Sequence, residues 1–292
     1  MLWGLPSMRA FQSVVESSIM NFYPNVDITR DVASRPDTSH YTLRGLFSVK
    51  YYYQRKNTSD DEKPDIPSEL PGFRYVGENE YFDIYENMLY IPMGMAFDTF
   101  ITENELENKS ASMREKTLIH SLVLNDGQAE KYGDILEKSD ISDVSSLTKK
   151  DYEKICTERQ NNSSSSFKYD SKGFESEITL EKPSLVFYSV PYSDGWTAEV
   201  NGKPVDVEKV SYGFMAVKAD AGDNKIVFHY RTPALTAGMI ITFSGIAGLA
   251  VYMIICRKIR RKNEYFNMSH SYDYTSCHKI KAHTQYCDSL KK

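Results

Sequence analysis

The sequence predicts an α+β fold: an extracytoplasmic region that ends in an antiparallel β-sandwich or jelly-roll-like module, followed by one transmembrane α-helix. Three observations lead to this fold class. Apolar residues recur at helical spacing in two segments between residues 103 and 160. Short alternating segments joined by turns fill residues 167–231. A run of 22 residues without charge then extends from Leu235 to Cys256.

Residues 1–102 are predicted to form a mixed α/β outer segment. Apolar side chains at helical spacing predict a short helix, and runs rich in tyrosine, valine and phenylalanine predict strands. A loop rich in proline and acidic residues separates the first strand from the next pair. The expected elements are a helix within 13–23, a strand within 47–53, two strands around the turn at 77–80, and a strand bent at 92–94.

Residues 103–166 are predicted to be a helical insert that ends in a flexible joint. The first candidate helix follows a serine that can cap it, Ser110 or Ser112. The joint is the low-complexity run of asparagine and serine at Asn161–Ser166. The two candidate helices lie within residues 110–124 and 147–160.

Residues 167–234 form the clearest domain and are predicted to be the β-sandwich-like module. Regular short strands with turns between them are typical of sandwiches and jelly rolls. Asn201-Gly202 is the strongest hairpin signal in the chain and suits a two-residue type I′ turn. The predicted strands are 174–180, 184–190, 196–200, 204–210, 214–218 and 225–231.

Trp196 has two candidate roles in this module. It alternates with Thr197 and Glu199, so it shares a strand face with Ala198 and Val200, which favours packing in the core. The alternative is an exposed position on which a sugar ring could stack. Tyr192 and Tyr212 lie nearer to turns. Together with Trp196, they are the candidate glycan-contact residues, although turn tyrosines are often half-buried structural residues.

The uncharged run at 235–256 is long enough to cross a bilayer about 30 Å thick. A basic cluster follows this run directly, whereas the side before it has few basic residues. The positive-inside rule therefore predicts that the N-terminal region is extracytoplasmic and that the tail, residues 257–292, is cytoplasmic. We expect this cluster to stop the membrane segment and to lie against anionic lipid of the bilayer. The stop residues are Arg257, Lys258, Arg260, Arg261 and Lys262.

The charge distribution agrees with this division. The tail has nine Lys or Arg residues and three Asp or Glu residues, a net charge of +6, so residues 1–234 carry −11 of a total of −5. An acidic outer region argues against nucleic acid as a partner. The four cysteines include only Cys156 in the outer region, so no disulfide is expected within it.

The sequence offers little catalytic or cofactor chemistry. It contains no P-loop, G-x-G-x-x-G, H-E-x-x-H or G-x-S-x-G motif, so we expect no cofactor and no metal, and we assign no catalytic residue. Carboxylates at 60–61 and 78–80 could act as a glycosidase pair, but loop carboxylates are usually solvated. The cysteines and histidines within 277–287 match no standard zinc spacing, so we expect a disordered basic tail.

The first 20 residues lack the basic and apolar regions of a signal peptide. Since the outer region must cross the membrane, we expect this chain to be the C-terminal end of a larger multi-pass protein. Its upstream membrane helices would then be a further partner.

The order of these features resembles the extracellular C-terminal region of bacterial YfhO-type membrane proteins. The resemblance covers most of residues 1–262 and rests on residues 17–56, 72–100 and 185–233 and on the position of the last helix. The most specific motifs are Pro191-Tyr192, Gly195-Trp196, Asn201-Gly202-Lys203 and Tyr212-Gly213-Phe214-Met215.

The resemblance implies a polytopic glycosyltransferase of the C superfamily, in a bacterial cell membrane. Such enzymes use polyprenyl-phosphate-linked sugars on the outer face of the membrane and are linked to glycosylation of cell-envelope polymers such as lipoteichoic acid. Their catalytic carboxylate belongs to an N-terminal outer loop that this chain does not contain. The alternative function is a non-catalytic, membrane-anchored protein that binds an extracellular glycan or acts as a scaffold.

Overall fold

The structure is a computed structural model. It describes residues 15–29, 38–56 and 70–288 together with Ser7 and Pro36, and beyond Tyr265 it describes the backbone alone. The chain divides into two compact units, Met1–Arg231 and Thr232–Lys292.

The first unit contains both helices and strands. Its helices are α1 (Ser17–Asn25), α2 (Thr42–Leu46), α3 (Glu103–Leu106), α4 (Ala111–His120), α5 (Asp126–Tyr132), α6 (Ile141–Ser145) and α7 (Lys149–Asn161). Its first seven strands are β1 (Tyr51–Arg55), β2 (Phe73–Glu78), β3 (Phe82–Asn87), β4 (Met95–Phe97), β5 (Thr99–Thr102), β6 (Leu122–Leu124) and β7 (Glu137–Lys138). The remaining strands are β8 (Ser166–Tyr169), β9 (Gly173–Leu180), β10 (Ser184–Pro191), β11 (Trp196–Val200), β12 (Lys203–Val205), β13 (Glu208–Val210), β14 (Phe214–Ala219) and β15 (Gly222–Tyr230).

Two antiparallel sheets form the predicted sandwich, and the α+β fold class is confirmed. One sheet has the strand order β13-β14-β10-β4, and the other has the order β12-β11-β15-β9-β8. The predicted strand 204–210 is two strands in different sheets, β12 and β13. Strand β4 joins the sandwich from outside residues 167–234, through pairs such as Phe97 with Leu185.

The four-stranded sheet is buried on both faces. Side chains alternate across a strand, and along β10 Leu185 and Phe187 belong to one apolar core whereas Val186 and Tyr188 belong to another. Strands β14 and β4 alternate in the same way. A strand without a solvent face needs an almost continuous apolar sequence, which explains the run from 185 to 188. The sheet is therefore shared by two cores.

We call these the sandwich core and the mixed core. The sandwich core lies with the five-stranded sheet and includes Phe174, Ile178, Val186, Tyr188, Ile226 and Phe228. The mixed core combines the shared sheet with helices and a small third sheet and includes Phe22, Leu43, Ile101, Leu118, Val123, Phe187 and Phe214.

The third sheet is parallel and was missed by the sequence analysis. Its strand order is β6-β5-β7, with Phe100 paired to both Leu122 and Lys138. The predicted helix within 110–124 is capped by Ser110, as expected, but it ends at His120, and the next apolar residues form β6. The chain from β5 through α4 to β6 is therefore a βαβ unit, in which both strands end at the same edge.

A fourth sheet, with the order β1-β3-β2, contains the predicted hairpin around residues 79–81. Part of the predicted strand 47–53 lies before β1, which begins only at Tyr51. The Asn201-Gly202 turn is confirmed in detail. Its φ angles are 54° and 75°, and it joins the paired residues Val200 and Lys203. Two positive φ angles are the requirement of a type I′ turn.

The run Asn161–Ser166 is a packed connection, and not the flexible joint that its composition predicts. Ser163 forms a bridge with Met95. Ser164 is buried, and its amide and hydroxyl both donate to the carbonyl oxygen of Gly94, at 2.8 and 3.0 Å. Nearby, the partly buried Arg159 donates to the carbonyl oxygens of Ala96 (2.7 Å) and His120 (2.6 Å), which fixes α7 against both β4 and the end of α4.

The second unit consists of helix α8 (Leu235–Asp288). Its part from Leu235 to Tyr265 contains a stretch that is long and apolar enough to cross a membrane. The stop residues at 257–262 continue this helix. The expectation of a disordered tail is wrong for the backbone, which is helical as far as Asp288.

Trp196 packs against the sandwich core. Its ring contacts those of Phe174 (5.5 Å between centroids), Phe228 (6.2 Å) and Tyr230 (4.9 Å). The structure therefore favours the first of its two candidate roles.

We predict that Trp196→Ala lowers the free energy of unfolding by about 3 kcal/mol, the low end for a large aromatic residue, because the ring is partly exposed. Thermal unfolding of the full chain in detergent measures the change. Tyr169→Ala is the control, since this side chain is 63% exposed and its loss should change little. Equal melting of Trp196→Ala and the unsubstituted protein would contradict the core role.

Candidate functional site

An open cleft of about 750 Å³ lies in the first unit, where the parallel sheet meets the shared sheet. Its lining is rich in amide, carboxylate and tyrosine side chains. The lining residues are Asn21, Asn25, Glu103, Asn104, Leu106, Glu107, Arg114, Asn125, Gln128, Tyr192, Val207, Glu208, Lys209 and Tyr212. Ligands of open α/β sheets bind beyond the carboxyl ends of the strands, and this cleft follows the ends of β5 and β6.

Two helix caps position the residues that follow these strands. After β5, the Thr102 amide and hydroxyl both donate to Glu105 Oε2, at 3.0 and 2.7 Å. After β6, Asn125 and Gln128 bind each other's backbone amides through their side chains. These capping boxes fix the start of α3 and α5, so that Glu103, Asn104 and Asn125 line the cleft.

A hydrogen-bond network around Glu208 forms the opposite wall. Glu208 Oε1 accepts from Lys131 Nζ (2.7 Å) and Tyr132 Oη (2.7 Å), and Glu208 Oε2 accepts from Gln128 Nε2 (2.9 Å). Burial raises the pKa of Glu208, but the hydrogen bonds from Lys131, Gln128 and Tyr132 outweigh it and hold this pKa below its usual value. Burial and the bond to Glu208 raise the pKa of Tyr132 to about 12. Glu208 is therefore an anion that anchors α5 to β13.

Tyr212 lies in a strained turn between β13 and β14. Ser211 and Tyr212 have φ angles of 51° and 66°, which non-glycine residues rarely adopt. The turn is fixed on β6, because the Ser211 amide donates to the Val123 carbonyl oxygen (2.8 Å) and the Val123 amide donates to Ser211 Oγ (3.3 Å). A Cβ atom at Gly213 would lie 2.4 Å from the carbonyl oxygen of Ser18, so glycine is needed for the approach of α1.

The Tyr212 hydroxyl is buried and has no hydrogen-bond partner among the described residues. Burial raises the pKa of Tyr212, and the Arg114 guanidinium opposes this rise. Arg114 is itself held in place, since its Nε donates to the carbonyl oxygen of Asn25 (2.7 Å) and its Nη1 donates to that of Lys109 (2.8 Å). Strained backbone together with an unpartnered polar atom is common at functional sites.

The structure brings together two of the three candidate glycan-contact residues. Tyr192 and Tyr212 both line the cleft, and the Tyr192 amide donates to the carbonyl oxygen of Gly213 (2.9 Å). Trp196 does not line it. The sequence analysis missed Asn104, Asn125, Gln128 and Glu208, although the cap signals at 102–105 and 125–128 could have placed the first three.

Other candidate groups stay apart from the cleft. His40 lies 2.6 Å from Glu115, and His229 is exposed on β15. Glu78 binds Lys56 (2.6 Å), whereas residues 60–61 lie outside the described part of the chain. The side chains of the cysteines and histidines within 277–287 are also outside it. Within the described residues, no group of three or more His, Cys, Asp or Glu side chains could hold a metal ion.

The cleft suits a ligand with many hydroxyl groups. Amides offer both donors and acceptors, carboxylates accept, and hydroxyl groups of a ligand can match both kinds of partner. Tyrosine rings add an apolar surface with a polar edge, which a sugar ring can contact.

A folded region with a polar cleft, joined to one apolar helix, defines the general class as a membrane-anchored protein. The family model described as "Bacterial membrane protein YfhO" matches residues 1–146 and 139–242. The chain therefore belongs to the YfhO family of bacterial membrane proteins, which confirms the resemblance.

A curated relative, "Uncharacterized protein YfhO" of Bacillus subtilis (strain 168), is 22% identical over 367 aligned positions. The match covers 88% of this chain and 42% of the relative, so the chain spans less than half of that protein's length. No solved structure matches the chain.

We predict that Tyr212→Phe does not destabilise the protein and raises its free energy of unfolding by up to about 1 kcal/mol, because a buried hydroxyl without a partner costs free energy. Tyr188→Phe is the matched control. Its hydroxyl is also buried but lies 2.6 Å from Ser176 Oγ, so its loss should cost about 1 kcal/mol or more. Thermal unfolding of the full chain compares the two variants. A larger loss for Tyr212→Phe than for Tyr188→Phe would contradict this account of the turn.

Proposed function

We propose that this chain is the C-terminal part of a YfhO-like integral membrane glycosyltransferase that glycosylates a cell-envelope polymer, such as lipoteichoic acid. In this proposal the cleft binds a sugar, either of the polymer or of a polyprenyl-phosphate-linked donor. The observation that carries it is the cleft itself, in which two tyrosines accompany five amide side chains. The family membership supports the membrane setting.

The charges of the cleft favour a sugar ring over the phosphate groups of a polymer. Its carboxylates are Glu103, Glu107 and Glu208, against the cations Arg114 and Lys209. A phosphate in this place would meet more negative than positive charge, in a region that carries −11 as a whole. Neutral hydroxyl groups meet no such repulsion.

The glycosyl transfer step would take place elsewhere in the full protein. We assign no catalytic residue to this chain, because the superfamily's catalytic carboxylate would lie in the portion of the relative's length that this chain does not span. The proposed topology places the cleft on the extracytoplasmic side and the tail after Leu235–Cys256 in the cytoplasm, in keeping with the basic cluster at 257–262.

The second candidate is a non-catalytic, membrane-anchored glycan-binding or scaffold protein. Its supporting observation is shared with the first candidate: every residue that lines the cleft lies between Asn21 and Tyr212 of this chain. Sugar binding by this chain alone is therefore expected under both candidates. Transfer of sugar by the full-length protein, and its loss in a protein that lacks the upstream helices, would distinguish the glycosyltransferase from the scaffold.

We predict that the full chain in nanodiscs binds glucose or N-acetylglucosamine in isothermal titration calorimetry and that Asn104→Ala weakens this binding about fivefold, because a neutral hydrogen bond contributes about 1 kcal/mol. Tyr192→Ala should weaken it further through the lost ring surface.

Tyr169→Ala is the control for these variants, because Tyr169 is an exposed tyrosine of the same unit and lies away from the cleft. Binding that is unaffected by Asn104→Ala and Tyr192→Ala would place the sugar elsewhere. The absence of binding with both sugars would contradict the proposed cleft.

A further inference from the structure

The sheet β1-β3-β2 concentrates exposed aromatic residues. Between residues 15 and 231, the described part of the chain has eight exposed large apolar or aromatic side chains. Five of them belong to this sheet or to its hairpin turn, namely Tyr51, Tyr53, Tyr75, Val76 and Tyr81. A cluster of this kind marks an interaction surface more often than single exposed residues do.

Strand register assigns three of these side chains to one face. Tyr51 pairs with Glu86 and Tyr53 with Ile84, so these four residues share a face. Arg55 pairs with Phe82 and lies on it too. On the other side of β3, Arg74 pairs with Glu86, and a bulge at Val76 faces Ile84. We call this surface the tyrosine–arginine face, defined by Tyr51, Tyr53, Arg55, Arg74, Val76, Phe82, Ile84 and Glu86.

Aromatic rings contact one another on both faces of the sheet. On the tyrosine–arginine face, the Tyr53 ring lies 6.5 Å from that of Tyr51 and 6.4 Å from that of Phe82, between centroids. The opposite face has contacts of the same kind. Tyr52 lies near Phe73 (6.2 Å between centroids) and near Tyr85 (6.4 Å), and Tyr75 meets Tyr85 at 5.7 Å. Tyr85 is buried among these rings. No ring of the tyrosine–arginine face is buried in this way, so that face is the better candidate for an external surface.

The tyrosine–arginine face carries positive charge. Arg55 and Arg74 are exposed, and among the described residues the ion pairs of the sheet are those of Lys56 with Glu78 (2.6 Å) and Asp83 (3.8 Å). Lys50 adds a cation 5.5 Å from the Tyr51 ring centroid. Within the described part of the chain, Glu86, which pairs with Arg74, is the acidic residue of the face. Residues 1–234 carry a net charge of −11, so this face is locally positive within an acidic region. A positive surface of this kind attracts an anionic partner.

The combination of residue types indicates which anionic partner this is. Tyrosine and arginine are suited to the headgroup level of a bilayer, where their apolar parts enter the interface and their polar ends stay hydrated. Val76 and Ile84 have no group for the hydroxyls of a polysaccharide, but they can enter the boundary between headgroups and acyl chains. In addition, the same chain contains a candidate membrane span after its last strand.

We infer that the tyrosine–arginine face contacts the surface of an anionic lipid bilayer. Each arginine near such a surface should strengthen the contact about fivefold at low salt, since it contributes about 1 kcal/mol. This contact is independent of the proposed sugar site, because none of its residues lines the cleft.

Fluorescence quenching by brominated lipids tests this inference. The full chain carrying Tyr51→Trp is reconstituted in nanodiscs of phosphatidylcholine and phosphatidylglycerol, with bromine near the headgroups. Tyr169→Trp is the matched control, because Tyr169 is also an exposed tyrosine on a strand of the first unit. The emission of the unsubstituted protein, which contains Trp3 and Trp196, is subtracted.

We expect the added emission at position 51 to be strongly quenched and the emission at position 169 to be unchanged. Arg55→Gln with Arg74→Gln, in the Tyr51→Trp protein, should restore most of the emission. Equal quenching at positions 51 and 169 would overturn the inference. Emission at position 51 that is unaffected by the lipid but responds to a soluble anionic polysaccharide would also overturn the inference and would assign the face to a glycan.

Discussion

The four-stranded sheet β13-β14-β10-β4 has no solvent face, and the rest of the first unit depends on this constraint. Strands β10, β14 and β4 each pack against two cores at once, since their alternate side chains enter the sandwich core and the mixed core. A defect in one core therefore acts on the other through the same strands. The unit Met1–Arg231 is compact for this reason, although its sequence suggests several separate domains.

The cleft is a product of the same arrangement. The turn after β13 must meet the end of β6, and the paired hydrogen bonds of Ser211 with Val123 join the two. These bonds, together with the close approach of Ser18 to Gly213, hold Ser211 and Tyr212 in a backbone conformation that they would otherwise avoid. Without the mixed core, neither the turn nor Tyr212 would have a fixed place.

The sandwich strands could be predicted from sequence because their pattern is local. The alternation in 174–180 and the Asn201-Gly202 turn each contain their own signal. Strands β6 and β7 could not be predicted, since two or three residues have no measurable period and their pairing is decided by distant partners. The packed connection at Asn161–Ser166 was missed for a similar reason, because its partner Gly94 is far away in sequence.

In the candidate site, too, residues with a local sequence signal could be predicted and residues that depend on distant partners could not. Tyr192 and Tyr212 were identified because they lie near turns in the sequence, whereas Gln128 and Glu208 acquire their role only when α5 lies on β13. Trp196 was the most conspicuous residue in the sequence, yet it serves the sandwich core.

Hydrogen exchange tests the proposal of a sugar-binding cleft most directly. The full chain in nanodiscs would be compared with and without glucose or N-acetylglucosamine. The proposal predicts slower exchange of the backbone amides at 103–107, 125–128 and 208–213 when sugar is present, with no change in β2 and β3. Protection confined to other segments, or the same exchange in both samples, would contradict it.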